Sequence, residues 1–278
     1  MTCTISPRVG RRSFFGLSVV LLPASAAGAA PSQQDGMPAG FYQATAIVTG
    51  TDMRQRPSGF ADCLTQVMLK LTGQPTFRGN AAVTSLTEHA DTLVDHFVYV
   101  DPRAALLHHD DQGTYDRPHE LTVWFKPQAV DDAIERLGLS LWHKPRPVLV
   151  PIVLVRTKDP EPFLLSAEAS QGVAMRAALV RIAGGYGVGV HFPTAGELAE
   201  WGVDTIGSPN PLGGPTDLRL RVVGTLSLNE KEAGWTGSWS LEWERAEHHW
   251  EIHGVSFDQA FENMAGGAVE LAAGTGTP

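Results

Sequence analysis

Cysteine is nearly absent from this chain. Two in 278 residues cannot build a disulfide framework. Positive charge is also scarce: 21 bases face 30 acids, a formal net charge of −9. That is the wrong sign for a general nucleic-acid binder. The apolar runs are short. The longest near the start, Ser13 to Leu22, spans about ten residues, whereas a bilayer needs roughly 17–25. Signature motifs are missing too. There is no His-Glu-x-x-His and no paired-cysteine spacing for zinc. Gly224 to Leu228 lacks the closing glycine of a nucleophile elbow. Gly184 to Gly189 lies between a predicted helix and a predicted strand, the reverse of the order a phosphate loop requires.

What remains is ordinary globular composition, 43% hydrophobic and 18% charged. A chain of this length buries roughly 70–75% of its unfolded surface and needs no disulfide or metal to hold a core.

Residues 1–30 read as a secretory signal. Arg8, Arg11 and Arg12 come first with no acid, the apolar run follows, and Ala24 to Ala26 and Ala27 to Ala29 are both A-x-A cleavage candidates. Arg11, Arg12, Ser13, Phe14 and Phe15 fit the twin-arginine export pattern, with the general secretory route as the alternative. Cleavage is expected near Ala26/Ala27 or Ala29/Ala30. The exported chain would then carry 18 bases against 30 acids and one cysteine, Cys63. The organisation predicted is a signal peptide over 1–30, a disordered start over 31–40, an N-terminal α+β domain over 41–144 and a C-terminal α+β domain over 145–275.

In the first half, Phe41 to Thr49 is a predicted strand. Phe60, Cys63, Leu64, Val67, Met68 and Leu71 fall on one helical face, with Gly73 just past its end. Mid-face, Cys63 is a thiol candidate by type and a small buried hydrophobe by position, and position decides. A second helix is predicted over Ala82 to His96, strands over Phe97 to Val100 and Leu121 to Phe125, and a helix from Pro127 to Gly138. Leu139 to Pro147 is the expected junction.

In the second half, Val148 to Val155 is apolar on both faces, as a strand covered on both sides should be. Pro151 within it argues for a bulge or an edge stretch. A helix over Gln171 to Ala183, a strand over Val188 to Phe192 and a short helix over Ala195 to Trp201 follow.

The strongest pattern runs from Leu218 to Gly254. Leu218, Leu220, Val222, Gly224, Leu226 and Leu228 share one face of a strand; Trp235, Gly237, Trp239, Leu241 and Trp243 share one face of the next. Closing the hairpin pairs Leu228 with Trp235, Leu226 with Gly237, Gly224 with Trp239 and Leu220 with Trp243. It also sets Arg221 against Glu242 and Arg219 against Glu244. A turn at Ala246 and Glu247 would bring a third strand with Trp243 beside Trp250 and Trp239 beside Gly254. The prediction is an α+β fold of two αβ halves, the second carrying an antiparallel, Trp-rich three-stranded meander packed on helices, closed by a helix from Phe257 to Leu271. Trp235, Trp239, Trp243 and Trp250 are read as a core wall rather than a carbohydrate or lipid platform.

Three clusters invite chemistry. His249, Glu251 and His253 alternate along the third strand, but one straight strand spreads them over roughly 13 Å. His108, His109, Asp110, Asp111 and Asp116 share a loop. Glu242 would oppose Glu251 as a carboxylate pair, on a solvated face beside Arg221. None of these makes a site unaided, and no cofactor, metal or catalytic residue is assigned.

Gly59 to Gly73 resembles the first helix of an uncharacterised group of exported bacterial proteins, domain of unknown function 2066. Phe125 to Val130, Leu137 to Trp142, Arg146 with Pro147, and Leu220 to Thr225 before a Trp-containing hairpin are similar to that family as well. The resemblance covers most of 41–271 and departs at Gly207 to Pro215. It implies export and a shared fold, and supplies no catalytic residues. The second half also looks like small α+β modules of envelope-assembly lipoproteins, in topology alone.

The function expected is an exported, periplasmic, non-catalytic cell-envelope accessory or protein-interaction protein. Its partner would be another envelope protein, with no nucleic acid and no stable transmembrane segment after cleavage. The alternative is a periplasmic small-ligand or metal-binding protein with its site between the halves, and after that a hydrolase. A broad exposed apolar patch favours the first reading; a cleft of convergent buried ionisable groups favours the others.

Overall fold

A computed structural model describes residues 37–102, 104, 117–158, 161–203, 218–229 and 233–278. The expected signal residues Arg11, Arg12, Phe14 and Phe15, the cluster from His108 to Asp111 with Asp116, and the segment Gly207 to Pro215 lie outside the described residues.

The N-terminal half runs β1 (Gln43–Thr49), α1 (Arg56–Thr72), α2 (Ala81–Glu88), β2 (Val94–Val100), β3 (Pro118–Phe125) and α3 (Pro127–Arg136). Its sheet is antiparallel in the order β1-β3-β2. α1 lies on one face because its apolar stripe fits there: Phe60, Cys63, Leu64, Val67, Met68 and Leu71 are all buried. Gly73 ends α1 in the left-handed conformation, φ 63°, where glycine carries no Cβ penalty. Lys70 and Gln66 of α1 donate to the carbonyls of Gln43 and Thr45, covering part of the free edge of β1.

The helix expected over Ala82 to His96 stops at Glu88, and a 3-10 turn, Ala90–Leu93, leads into β2. Tertiary pairing overrides local pattern: Val94 pairs with Phe125, and Lys126 N–H donates to Leu93 O at 2.9 Å.

The C-terminal half contains β4 (Val148–Arg156), β5 (Phe163–Leu164), α4 (Val173–Gly185), β6 (Gly189–Val190), α5 (Ala195–Glu200), β7 (Arg219–Asn229), β8 (Gly234–Trp243), β9 (Ala246–Val255) and α6 (Phe257–Ala273). The order is β5-β4-β7-β8-β9, with β6 also on β4. β4 is buried along both faces and runs parallel to β7. Its other edge is paired only at the ends, Val148–Leu149 with β6 and Leu154–Val155 with β5. Leu149 O and Val153 O accept from that side, so Pro151, two residues from each, points its missing N–H into the gap. The proline breaks no ladder bond with β7.

The β7–β8 hairpin has the expected register: Leu228 opposes Trp235, Leu226 opposes Gly237 and Gly224 opposes Trp239. The ladder begins at Val223/Ser240, so the pairs Leu220/Trp243, Arg221/Glu242 and Arg219/Glu244 do not form in it. Residues 219–222 pair only with β4, with which 223–227 also pair along that edge of β7, and Arg221 lies 5.5 Å over the Trp201 ring. A Cβ on Gly224 would meet Ser238 O at 2.2 Å and Trp239 Cε3 at 2.5 Å. The indole of Trp239 fills the space that Gly224 and Gly237 leave.

The third strand sits four residues away from the expected register along β9. Trp239 opposes Trp250 rather than Gly254, and Trp243 opposes Ala246 rather than Trp250. The turn is Glu244–Arg245, both at positive φ, 50° and 68°. Two such residues make the tight primed turn whose twist suits a hairpin. The displacement is even, so side chains from Ala246 to Ile252 keep their predicted face; beyond Ile252 a bulge with Gly254 at φ 65° breaks the alternation and sets Val255 opposite Trp235. The physical gain of the displacement is that Trp239 and Trp250 stand side by side under α6, where Nε1 of each donates to Asn263, to Oδ1 at 3.1 Å and to the backbone O at 3.2 Å.

Residues 37–278 form one unit, and a single buried cluster runs through both halves. The junction before β4 is pinned to α1: Trp142 N–H donates to Leu71 O at 2.7 Å. Arg146 stacks 3.7 Å over Trp142 and 4.9 Å from the Phe41 ring centre. Burial pulls its guanidinium down to about 10. A smaller cluster of Ile152, Leu198, Val203 and Val223 seals the other face of the large sheet beneath α5.

Candidate functional site

Helix α6 is capped at its start by Ser256, which exchanges hydrogen bonds with Gln259. Most of the helix is buried, as a closing helix should be. Along one flank, however, it carries Gln259, Glu262, Asn263, Gly266 and Glu270. That spacing of three and four residues places them on one line. The line faces a cleft of about 460 Å³, whose other walls include Pro75, Thr76 and Arg78 from the first half and Tyr186 from the end of α4. A second cavity of about 490 Å³, between β1, α1 and α4, adjoins it through Arg78, Tyr186 and Glu262.

Two polar groups in the cleft are buried without being fully satisfied. Tyr186 is 1% exposed, and its hydroxyl has no hydrogen-bond partner among the described residues. Glu270 is 5% exposed, and its Oε1 likewise has none. Buried polar groups are normally paired, and each exception calls for a reason. Burial raises the Glu270 carboxyl above the usual carboxylate range. Burial also raises the Tyr186 phenol; the positive Arg78 opposes this, while Glu262 and Glu270 add to it. Arg78 and Glu262 pair with each other at the half-exposed rim.

Glycine shapes the cleft floor. A Cβ on Gly266 would stand 2.9 Å from the Tyr186 hydroxyl, and one on Gly267 2.9 Å from the Trp250 ring. The absent side chains admit the phenol and the indole to the surface of α6. The meander thus supports the cleft from behind: Trp239 and Trp250 hold Asn263, and Asn263 belongs to the lining.

The sequence-derived candidates fall elsewhere. Cys63 is fully buried, its Sγ 3.6 Å from Ala44 O and 3.7 Å from Leu121 O. Burial pushes the thiol up to about 12, so it is a core atom rather than a nucleophile. Phe60, Leu64 and Val67 are core with it. Trp239 and Trp250 are buried, and Trp235 and Trp243 pack partly buried against the same core. His249, Glu251 and His253 lie exposed on β9 and make local contacts, His249 with Glu247 and His253 with Glu251, each at 3.3 Å. Glu251 opposes Ser238; Glu242 opposes Glu247. The Glu242–Glu251 carboxylate pair therefore does not form, because it depended on the displaced register.

Tyr186, Glu270 and Arg78 were not singled out from the sequence. Their signal was there in part: a polar and glycine line through an otherwise apolar helix. Tyr186 lies in the glycine run between α4 and β6, and nothing local ties it to α6.

Fold and site together define an α+β protein with a polar, partly unsatisfied cleft between its halves. Residues 38–143 match the family described as Domain of unknown function (DUF8605). The first half thus fits an uncharacterised family, and the matched family is not domain of unknown function 2066. No curated protein and no solved structure matches the chain. Among the described residues, no helix is long and apolar enough to cross a membrane.

Proposed function

We propose that this chain is an exported, non-catalytic binding protein of the cell envelope that holds a small ligand in the cleft beside α6. The supporting observation is the pairing of Tyr186 and Glu270, both buried and both with an oxygen left unsatisfied beside a cavity of ligand size. A structural core would normally replace such groups with apolar ones or complete their bonds. Export rests on the order of charge, apolar run and small residues in 1–30. Native mass spectrometry of protein purified from the periplasmic fraction tests the reading. A small molecule retained by the wild type and lost from Gly266→Leu supports it. Equal masses for both, with no small molecule retained or bound from an extract, would count against it.

One observation favours a second reading, docking of another envelope protein. The outer face of the β1-β3-β2 sheet presents Ile47, 65% exposed, with Val98 and Val100 also exposed. Crosslinking in the envelope tests it. One dominant partner, lost on Ile47→Lys and Val98→Lys, supports docking; a crosslinking pattern that these changes leave unaltered contradicts it.

A further inference from the structure

We infer that the cleft ligand carries a primary ammonium group, which Glu270 and Tyr186 receive; this rests on the reading of the cleft as a small-ligand site. The charged side chains lining the cleft are Arg78, Glu262 and Glu270. Arg78 and Glu262 neutralise each other, which leaves the Glu270 carboxylate as the uncompensated charge when ionised. A buried carboxylate without a counter-charge is costly, and its neighbours here supply none. Thr76, which lines the same cleft, brings no charge.

An ammonium completes this arrangement in a way that a neutral hydroxyl does not. It brings three N–H donors and a positive charge. Glu270 Oε1 and the Tyr186 oxygen are acceptors without a partner among the described residues. The phenol can accept while its proton stays in place, and burial keeps that proton on. An anionic ligand would meet a carboxylate on the cleft floor and a guanidinium already engaged at the rim. The remaining walls, with Pro75, Ile252 and Val255, suit a short aliphatic chain behind the charged end.

The test is titration calorimetry at pH 7.5 with the purified protein and two matched sets of probes. One set is the primary amines 2-aminoethanol, 1,4-diaminobutane and 1,5-diaminopentane; the other is the corresponding diols. At least one amine is expected to bind, and its diol is expected to bind at least about tenfold more weakly. Glu270→Gln should weaken the amine at least about tenfold, and Tyr186→Phe by less, roughly threefold to tenfold. Both substitutions keep the side-chain volume nearly constant, so both should fold; a single cooperative unfolding transition confirms that. No binding by any amine at millimolar concentration, equal binding of a diol, or an unaffected Glu270→Gln overturns the assignment. A retained ligand without a basic nitrogen overturns the ammonium while leaving the cleft reading intact. Failure of the cleft itself shows separately, as the absence of any ligand that Gly266→Leu displaces.

Discussion

Two polar faces of this molecule carry chemistry-bearing residues, and they differ in what surrounds them. On β9, His249, Glu251 and His253 stand in solvent and contact acids or histidines on the same strand. On α6, Glu270 lies 5% exposed beside the buried Tyr186, each with an oxygen left open. The β9 strip is the richer in metal-ligating and acid–base types, yet solvent already satisfies it. The α6 line is poorer in such types, yet burial leaves it unfinished. Residue type nominates a group; desolvation without a partner gives it something to bind.

The largest predicted effect tests whether the α6 line depends on the meander behind it. Gly224→Leu forces a side chain into Ser238 O and the Trp239 ring. It should cost about 3 kcal/mol or more, because backbone as well as an indole must move. The loss of Trp239 from beneath Asn263 should also loosen α6. Thermal and denaturant unfolding measure the cost, and a wild-type midpoint would contradict the packing described.

Next comes Gly266→Leu. Helix propensity favours the leucine, but the Tyr186 hydroxyl occupies its place. A net destabilisation of about 1–2 kcal/mol is expected as the phenol is displaced, with loss of cleft binding. Stabilisation would show that the phenol yields freely and that the cleft floor is not shaped by this glycine.

Glu270→Gln should alter the pH dependence more than the stability at any one pH. Folded Glu270 keeps its proton to higher pH than the unfolded chain does. Its contribution therefore favours the fold at low pH and is lost as pH rises from the ordinary carboxylate range through the raised folded value. Asp62 and Asp131, also raised by burial, act in the same sense from other elements. The substitution should flatten part of that decline, read from unfolding midpoints between pH 4 and 8. An unchanged slope would remove Glu270 from the buried, unpaired class. Conversely, Glu197 is held down to about 2, first by the Thr194 backbone N–H of its capping box and then by His191. Its contribution is present above the ordinary carboxylate range and is lost as pH falls toward the folded value.

The smallest effects belong to β9. His249→Ala and Glu251→Ala should each change stability by less than about 0.5 kcal/mol, since exposed ion pairs contribute little. A larger loss in either would mean that the strip is organised after all, and the contrast with α6 would narrow.

Much of the fold was legible because its signals are periodic. The alternation of Trp235, Gly237, Trp239, Leu241 and Trp243 against Leu226 and Gly224 permits one register, and the structure adopts it. The helical face through Cys63 and its end at Gly73 were equally plain. The second turn was not, because Glu244 and Arg245 lack the asparagine or glycine that marks a primed turn. Packing of Trp250 beside Trp239 chose it instead. The candidate site was the least legible part. Arg78, Tyr186 and Glu270 come from three segments that meet only when both halves share a core, and no local spacing records that meeting.

The most direct measurement is the titration of Glu270 itself, followed by the carboxyl carbon in ¹³C NMR with Glu270→Gln for assignment. Without ligand, the carboxyl should titrate above the ordinary carboxylate range. Saturation with a bound primary amine should move the titration below the unliganded value. An ordinary carboxylate titration in the unliganded protein, unmoved by the amine, would contradict both expectations.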